Sequence, residues 1–285
     1  MEVYFKLMRI HHYIKNLLIF AALACSGQLL DFKKLSTCII AFFAFCMIAS
    51  VVYIINDIRD KENDQKHPVK CNRPIASEKV SLNNAKILII VLLIVAVSCN
   101  YIVFNITASL LLLLYLILNL AYSFGLKSFP IVDVTILVSV FLIRVLYGAL
   151  ITNISVSNWL YLTIIALSFY FAFGKRRNEL KQVGKNTRQV LKAYTVNFLD
   201  KNMYMCLTLS NVFYALWSMD KQTIAFYNNK YLIYTVPIVL IITMKYSLNI
   251  EGDSDGDPVE VLIHDKTLMG LCIFYFVIMF TVLYL

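Results

Sequence analysis

What most constrains this chain is the recurrence, from end to end, of apolar runs long enough to cross a bilayer, which takes about 20 residues in a helix. Nine runs meet or approach that length, near 14–30, 37–56, 87–104, 106–122, 131–152, 159–174, 203–219, 231–248 and 267–285. A stretch such as LLLLYLILNLAY (111–122) lacks the period-2 alternation of a membrane barrel strand, so helices are expected. With mean hydropathy +0.73 and 15% charged residues, the chain reads as an all-α polytopic membrane protein. Nine transmembrane helices in a single domain spanning 1–285 are the expectation. Lys6, Arg9 and Lys15 before LLIFAALACSG (17–27) also fit a cleaved signal peptide, with Cys25 as a lipoprotein site. Eight further runs follow, which favours an uncleaved first span.

Basic residues orient the bundle. Of the 26 Lys and Arg, only Lys33, Lys34, Lys221 and Lys230 fall on one face, Arg144 lies inside the fifth run, and the rest fall on the other face. The positive-inside rule makes the richer face cytoplasmic. The N-terminus is then inside, in a bacterial-type inner or plasma membrane, and the C-terminus is on the opposite face. The net charge of +9 is mainly this topology signal. No soluble basic domain exists to hold nucleic acid, so the lipid bilayer is a partner and nucleic acid is not. The seven cysteines are scattered, six of them in apolar runs, without CxxC or Cys/His metal spacing.

Charge concentrates in NDIRDKENDQKHPVKCNRPIASEK (56–79). Asn56 precedes Asp57, Asp60 and Asp64, and a helix continuing past the second run would carry the three carboxylates on one face at i, i+3 and i+7. Carboxylates so placed repel each other unless a hard cation lies between them. Mg²⁺ suits such a site because it takes oxygen ligands, keeps several waters and is commonly shared with substrate phosphates. His67, Lys70 and Arg73 follow, with Pro68 and Pro74 restraining the chain. Bases beside a metal-bound diphosphate neutralise its remaining charge. The expected chemistry is therefore departure of a diphosphate from an active site at the cytoplasmic face.

Asn56, Asp57, Asp60 and Asp64, followed by His67, Pro68, Lys70, Arg73, Pro74 and Ile75, resemble the first aspartate motif of the UbiA superfamily of intramembrane prenyltransferases. The likeness, which extends over essentially the whole chain, implies a UbiA-like helical bundle. Ordinary members carry a second Asp-rich motif after helix 6, where this chain has GKRRNEL (174–180) in the loop position. That segment, with YSFGLKSFPIVDV (122–134), RIHHYIKN (9–16) and GDPVEV (256–261), is similar to the decaprenyl-phosphate phosphoribosyltransferase branch. The resemblance implies transfer of 5-phosphoribosyl from phosphoribosyl diphosphate to a polyprenyl phosphate, with release of pyrophosphate and dependence on Mg²⁺. It also implies Lys175, Arg176, Arg177 and Glu179, with Tyr122 and Lys127, as substrate contacts, and Lys15 and Asn16 near the lipid phosphate. In the fifth run, Asp133 and Arg144 are separated by about 16 Å of helix and so need partners other than each other; ionisable groups at membrane depth usually mark sites.

An anionic lipid phosphate needs no general base, and His11, His12, His67 and His264 form no triad. Two rivals stand beside this reading. One is a UbiA-type prenyltransferase acting on an aromatic or other small acceptor, against which the missing second Asp motif argues. The other is a transporter, which would spread charges and Gly or Pro breaks near the midplane. DSDGDPVE (253–260) imitates a Ca²⁺ loop, but Pro258 stands where that loop needs Gly and His264 at its last ligand position.

Overall fold

The computed structural model describes residues 2–66, 70–183, 188–227, 229–252, 254 and 256–284. Among them there are helices, turns and loops but no strand. In chain order, α1 (Glu2–Met8) leads into a 3-10 stretch (Ile10–Phe20) continued by α2 (Ala21–Cys25). There follow α3 (Phe32–Arg59), α4 (Lys61–Gln65), α5 (Leu82–Ile102), α6 (Ile106–Phe124) and α7 (Val132–Ile151). The remainder are α8 (Asn158–Val183), α9 (Val196–Met219), α10 (Lys221–Tyr227), α11 (Val236–Glu251), α12 (Pro258–His264) and α13 (Lys266–Tyr284).

Among the described residues, six helical stretches are long and apolar enough to cross a membrane: α3, α5, α6, α7, Tyr231–Glu251 and α13. The first expected span is the shorter apolar segment Ile10–Cys25, most of it 3-10. The sixth and seventh expected spans lie within α8 and α9, of 26 and 24 residues. Both are longer than the apolar runs inside them: α8 because Arg, Lys, Glu and Gln propagate a helix as well as Leu does, and α9 because Thr195 caps its start by accepting from Phe198 N (3.1 Å). As a result GKRRNEL, expected as a loop, forms the last turns of α8.

The chain clusters into two compact units. The first comprises Met1–Ala24, Gln28–Phe124 and Ile143–Ile154. Its centre is α3, whose first turn is capped by the Asp31 carboxylate accepting from Lys33 N (3.0 Å) and Lys34 N (3.2 Å). Cys38, Ala41, Ala44, Ala49 and Val52 bury along it, and these small side chains let α5, α6 and the 3-10 stretch pack closely. At Gly148 an added Cβ would overlap the Ile19 carbonyl. Along α5 and α6, Ile87, Ile90, Ile94, Leu110, Leu113 and Ile117 are exposed. An apolar stripe that size is the mark of lipid contact.

The second unit comprises Cys25–Gly27, Gly125–Leu142 and Ser155–Leu285. Here α8 and α9 pack along their length around Tyr170, Phe173, Leu199 and Met203, and α11 closes the cluster with Tyr246 and Ile250. A second cluster gathers Tyr214, Trp217, Leu232 and Met279. Exposed Ile241, Met244, Ile273 and Phe276 again give α11 and α13 a lipid-facing surface.

Candidate active site

In the first unit the acidic motif falls at the end of α3. Asp57 lies in its last turns, Asp60 at the junction with α4, and Asp64 within α4. The expected continuous helix therefore bends once, at Asp60 (φ −88°, ψ 8°). The helical ladder survives the bend: Asp60 N donates to Asn56 O (2.9 Å) and Asp64 N to Asp60 O (2.8 Å).

Asp57 and Asp64 are buried and Asp60 is partly exposed. Arg73 Nη1 donates to Asp64 Oδ2 at 2.6 Å and to Asp57 Oδ1 at 3.3 Å, so two carboxylates converge on one nitrogen. Arg9 Nη2 reaches the same Asp57 Oδ1 at 2.6 Å, and its guanidinium lies 4.9 Å from the centre of the Tyr53 ring. Sequence reasoning had Arg9 only as part of a motif and missed Tyr53 altogether. The spacing of Tyr53 and Asp57, one helical turn apart, was the available signal. Lys70 is exposed in a 3-10 turn (Lys70–Asn72). His67 and Pro68 lie outside the described residues.

Whether these residues suit a divalent ion can be judged from the donors. Among the described residues, no three His, Cys, Asp or Glu side chains form a preassembled metal cage. Two carboxylates that share a single cationic nitrogen are nevertheless close enough to share a single ion. Among the described residues, Asn56 Oδ1 is buried and has no hydrogen-bond partner, a costly state for an amide oxygen. A hard oxygen set of this kind fits Mg²⁺ completed by water and phosphate oxygens.

Deeper in the first unit, Arg144 Nε donates to Asn16 Oδ1 (2.9 Å) and Nη2 to the Tyr115 hydroxyl (3.3 Å). Its guanidinium also lies against the Phe45 and Tyr115 rings, at 5.4 and 5.2 Å. Asn16 Nδ2 in turn contacts Cys46 Sγ at 3.2 Å. Arg144 and Asn16 are thus brought together in the interior, with Lys15 beside them on the 3-10 stretch and partly exposed. Tyr122 is partly buried in the last turn of α6.

In the second unit the basic end of α8 meets acids from three directions. Arg176 Nε bonds Asp133 Oδ2 at 2.6 Å, with both side chains at 1% exposure or less. Tyr194 donates to the other oxygen, Asp133 Oδ1 (2.7 Å), and accepts from Ile131 N (2.7 Å). Burial raises the Tyr194 phenol well above its ordinary range, so it stays a donor. The bond from Ile131 holds that residue left-handed (φ 68°), a conformation unusual for a β-branched side chain. Glu179 joins Arg176 Nη1 (2.8 Å) to Arg188 Nε (2.7 Å).

Arg177 is buried against Asp200, Asn178 Oδ1 (3.1 Å) and Ile250 O (3.2 Å). Lys175 is the least buried member of the basic run and bonds Asp257 Oδ2 at 3.1 Å. Asp257 Oδ1 meanwhile caps α12 through Val259 N (3.1 Å), so this acid of the Ca²⁺-loop imitation serves as a helix cap. Residues 253 and 255 of that imitation lie outside the described residues. Lys127 sits in a 3-10 turn (Leu126–Ser128) just before Asp133. Tyr194, Arg188 and Asp200 were missed by sequence reasoning, which had Asp257 only as part of GDPVEV (256–261); of the four only Asp257, in an Asp-Pro at a helix start, carries a local signal.

A model of the UbiA prenyltransferase family matches residues 17–263. Decaprenyl-phosphate phosphoribosyltransferase of Mycolicibacterium smegmatis is 32% identical over 93% of this chain and 87% of its own length. The enzyme of that name from Corynebacterium glutamicum is 30% identical over 94% of this chain and 82% of its own. Among solved structures, a UbiA homologue from Archaeoglobus fulgidus bound to DMAPP and Mg²⁺ is similar with TM-score 0.71, over 98% of both chains at 17% identity.

Proposed function

Because the chain belongs to the UbiA prenyltransferase family, we propose that it is a membrane-embedded transferase moving 5-phosphoribosyl from phosphoribosyl diphosphate to a polyprenyl phosphate and releasing pyrophosphate. The observation that carries this reading is the likeness to decaprenyl-phosphate phosphoribosyltransferases at 30–32% identity over more than nine-tenths of the chain. Convergence of Asp57 and Asp64 on one nitrogen supports it independently.

Asp57, Asp60 and Asp64, with Asn56, are the residues that would hold Mg²⁺. When bound, the ion supplies Lewis-acid stabilisation of a departing diphosphate. Arg73 and Lys70 neutralise diphosphate charge, Arg73 by a bidentate fork once it turns from the carboxylates to the donor. Lys15, Lys175, Lys127 and Tyr122 are assigned to the remaining phosphates, those of the lipid and of the sugar. Arg176, Arg177, Asp133 and Glu179 take a positioning role in this reading. Arg176 is closed off by its ion pairs, and the network fixes the end of α8 from which Lys175 projects. Arg144 and Asn16 likewise brace the interior of the first unit. The lipid phosphate is already anionic at neutral pH, so positioning and charge stabilisation carry most of the rate enhancement. Nine spans, a cytoplasmic N-terminus and active site, and one domain over 1–285 complete the proposal.

Purified protein incubated with labelled phosphoribosyl diphosphate and a polyprenyl phosphate should yield labelled lipid and pyrophosphate. Asp57→Asn should lower the rate by about 100-fold or more, as loss of a stabilised charge in a transition state does. Turnover of a prenyl diphosphate with an aromatic acid, and none with the phosphoribosyl donor, would establish the rival prenyltransferase instead.

A further inference from the structure

The acidic motif is met by a residue 48 positions earlier in the first unit's sequence. Arg9 follows α1 with φ 53° and ψ 51°, the left-handed region that arginine seldom adopts. The turn is held there from several sides. Leu7 is fully buried in the cluster of Val51, Ile54, Ile75 and Leu92. The Met8 carbonyl accepts from Ser50 Oγ (3.0 Å), and Ser50 Oγ is paired with the Tyr13 hydroxyl (2.7 Å). His12 N bonds Arg9 O at 2.9 Å.

Ser50, Tyr53 and Asp57 stand at i, i+3 and i+7, one face of α3. That face fixes in turn the backbone before Arg9, the plane of its guanidinium and its charge. The guanidinium is delivered to Asp57 Oδ1, the oxygen Arg73 also touches. Carboxylate oxygens crowded by two guanidiniums are converged and neutralised, as they would be around a divalent cation, yet one of the two arginines must let go before such a cation can bind there.

We propose that Arg9 is a positioning residue that holds Asp57 Oδ1 in place of the divalent ion and gives way when the ion binds, its charge then facing the donor's diphosphate. The inference rests on the metal-diphosphate reading above, but it makes an opposite prediction from a merely structural arginine. A brace, when cut, loosens the site and weakens metal binding. A competitor, when removed, strengthens metal binding and lowers diphosphate affinity.

The test is titration of the purified full-length protein with Mn²⁺ followed by electron paramagnetic resonance, alone and with inorganic pyrophosphate. Arg9→Ala and the longer, neutral Arg9→Gln should each bind Mn²⁺ about tenfold more tightly than wild type, the scale of one charge-assisted hydrogen bond that the ion no longer has to displace. Pyrophosphate should improve Mn²⁺ binding less in these variants than in wild type. Arg9→Lys, which keeps the charge, should fall close to wild type. Unchanged or weaker Mn²⁺ binding by both neutral variants overturns the proposal while leaving the metal site standing. So does an equal tightening in Lys6→Ala, which removes a nearby charge that does not touch Asp57. Failure of the wild type to bind Mn²⁺ removes both the proposal and the metal-diphosphate reading.

Discussion

Single ion pairs in this protein differ in kind, and their burial decides what each contributes. Asp133 and Arg176 meet at 2.6 Å with essentially no solvent, so removing the Asp133 charge leaves the buried guanidinium only partly compensated, by Glu179. Asp133→Asn should therefore destabilise the protein by about 3 kcal/mol or more. Lys175 and Asp257 are separated by 3.1 Å, with the lysine 40% exposed, where water and salt screen the attraction. Lys175→Ala should cost no more than about 1 kcal/mol. Thermal unfolding of both variants in the same detergent checks the pair of values, and equal losses would contradict the burial argument. In the proposed function the same contrast separates Lys175 from Arg176, because the less buried lysine is the one assigned to a ligand phosphate.

At the level of elements, charged sequence does not mean loop. GKRRNEL looks like a connection when apolar length alone defines a span, yet it completes α8, because Arg176, Glu179 and Arg188 form a ladder that satisfies the charges on the helix. The first apolar run behaves in the opposite way. It is apolar, but much of it is wound as a 3-10 stretch against α7, with the Ile19 carbonyl seated over Gly148. Backbone cannot move aside as a flexible side chain would, so Gly148→Ala should cost about 2–3 kcal/mol, the upper range for overpacking. The loss should appear as a lower melting temperature, together with a lower yield of folded protein on size exclusion. A variant as stable as wild type would mean that the two segments are further apart than the structure has them.

For the molecule as a whole, the topology proposed from the asymmetry of Lys and Arg has the N-terminus inside and the C-terminus outside. A C-terminal alkaline phosphatase fusion should be active in a bacterial host and a green fluorescent protein fusion dark; the reverse pattern would invert the proposed topology. The membrane class, the helical content, the family and the aspartate motif were all legible in the sequence. Each is written in local pattern: run length, the 3-then-4 spacing from Asp57 to Asp64, and the bases that follow. What a carboxylate actually faces is not local. Arg9 stands 48 residues before Asp57, Asp133 takes Arg176 from 43 residues away and Tyr194 from 61, and Asp257 takes Lys175 from 82. Hydrophobic periodicity specifies which residues leave water, so it determines the elements. Only packing of those elements in three dimensions determines which charges meet, because burial makes every ionised group find a partner wherever the fold supplies one.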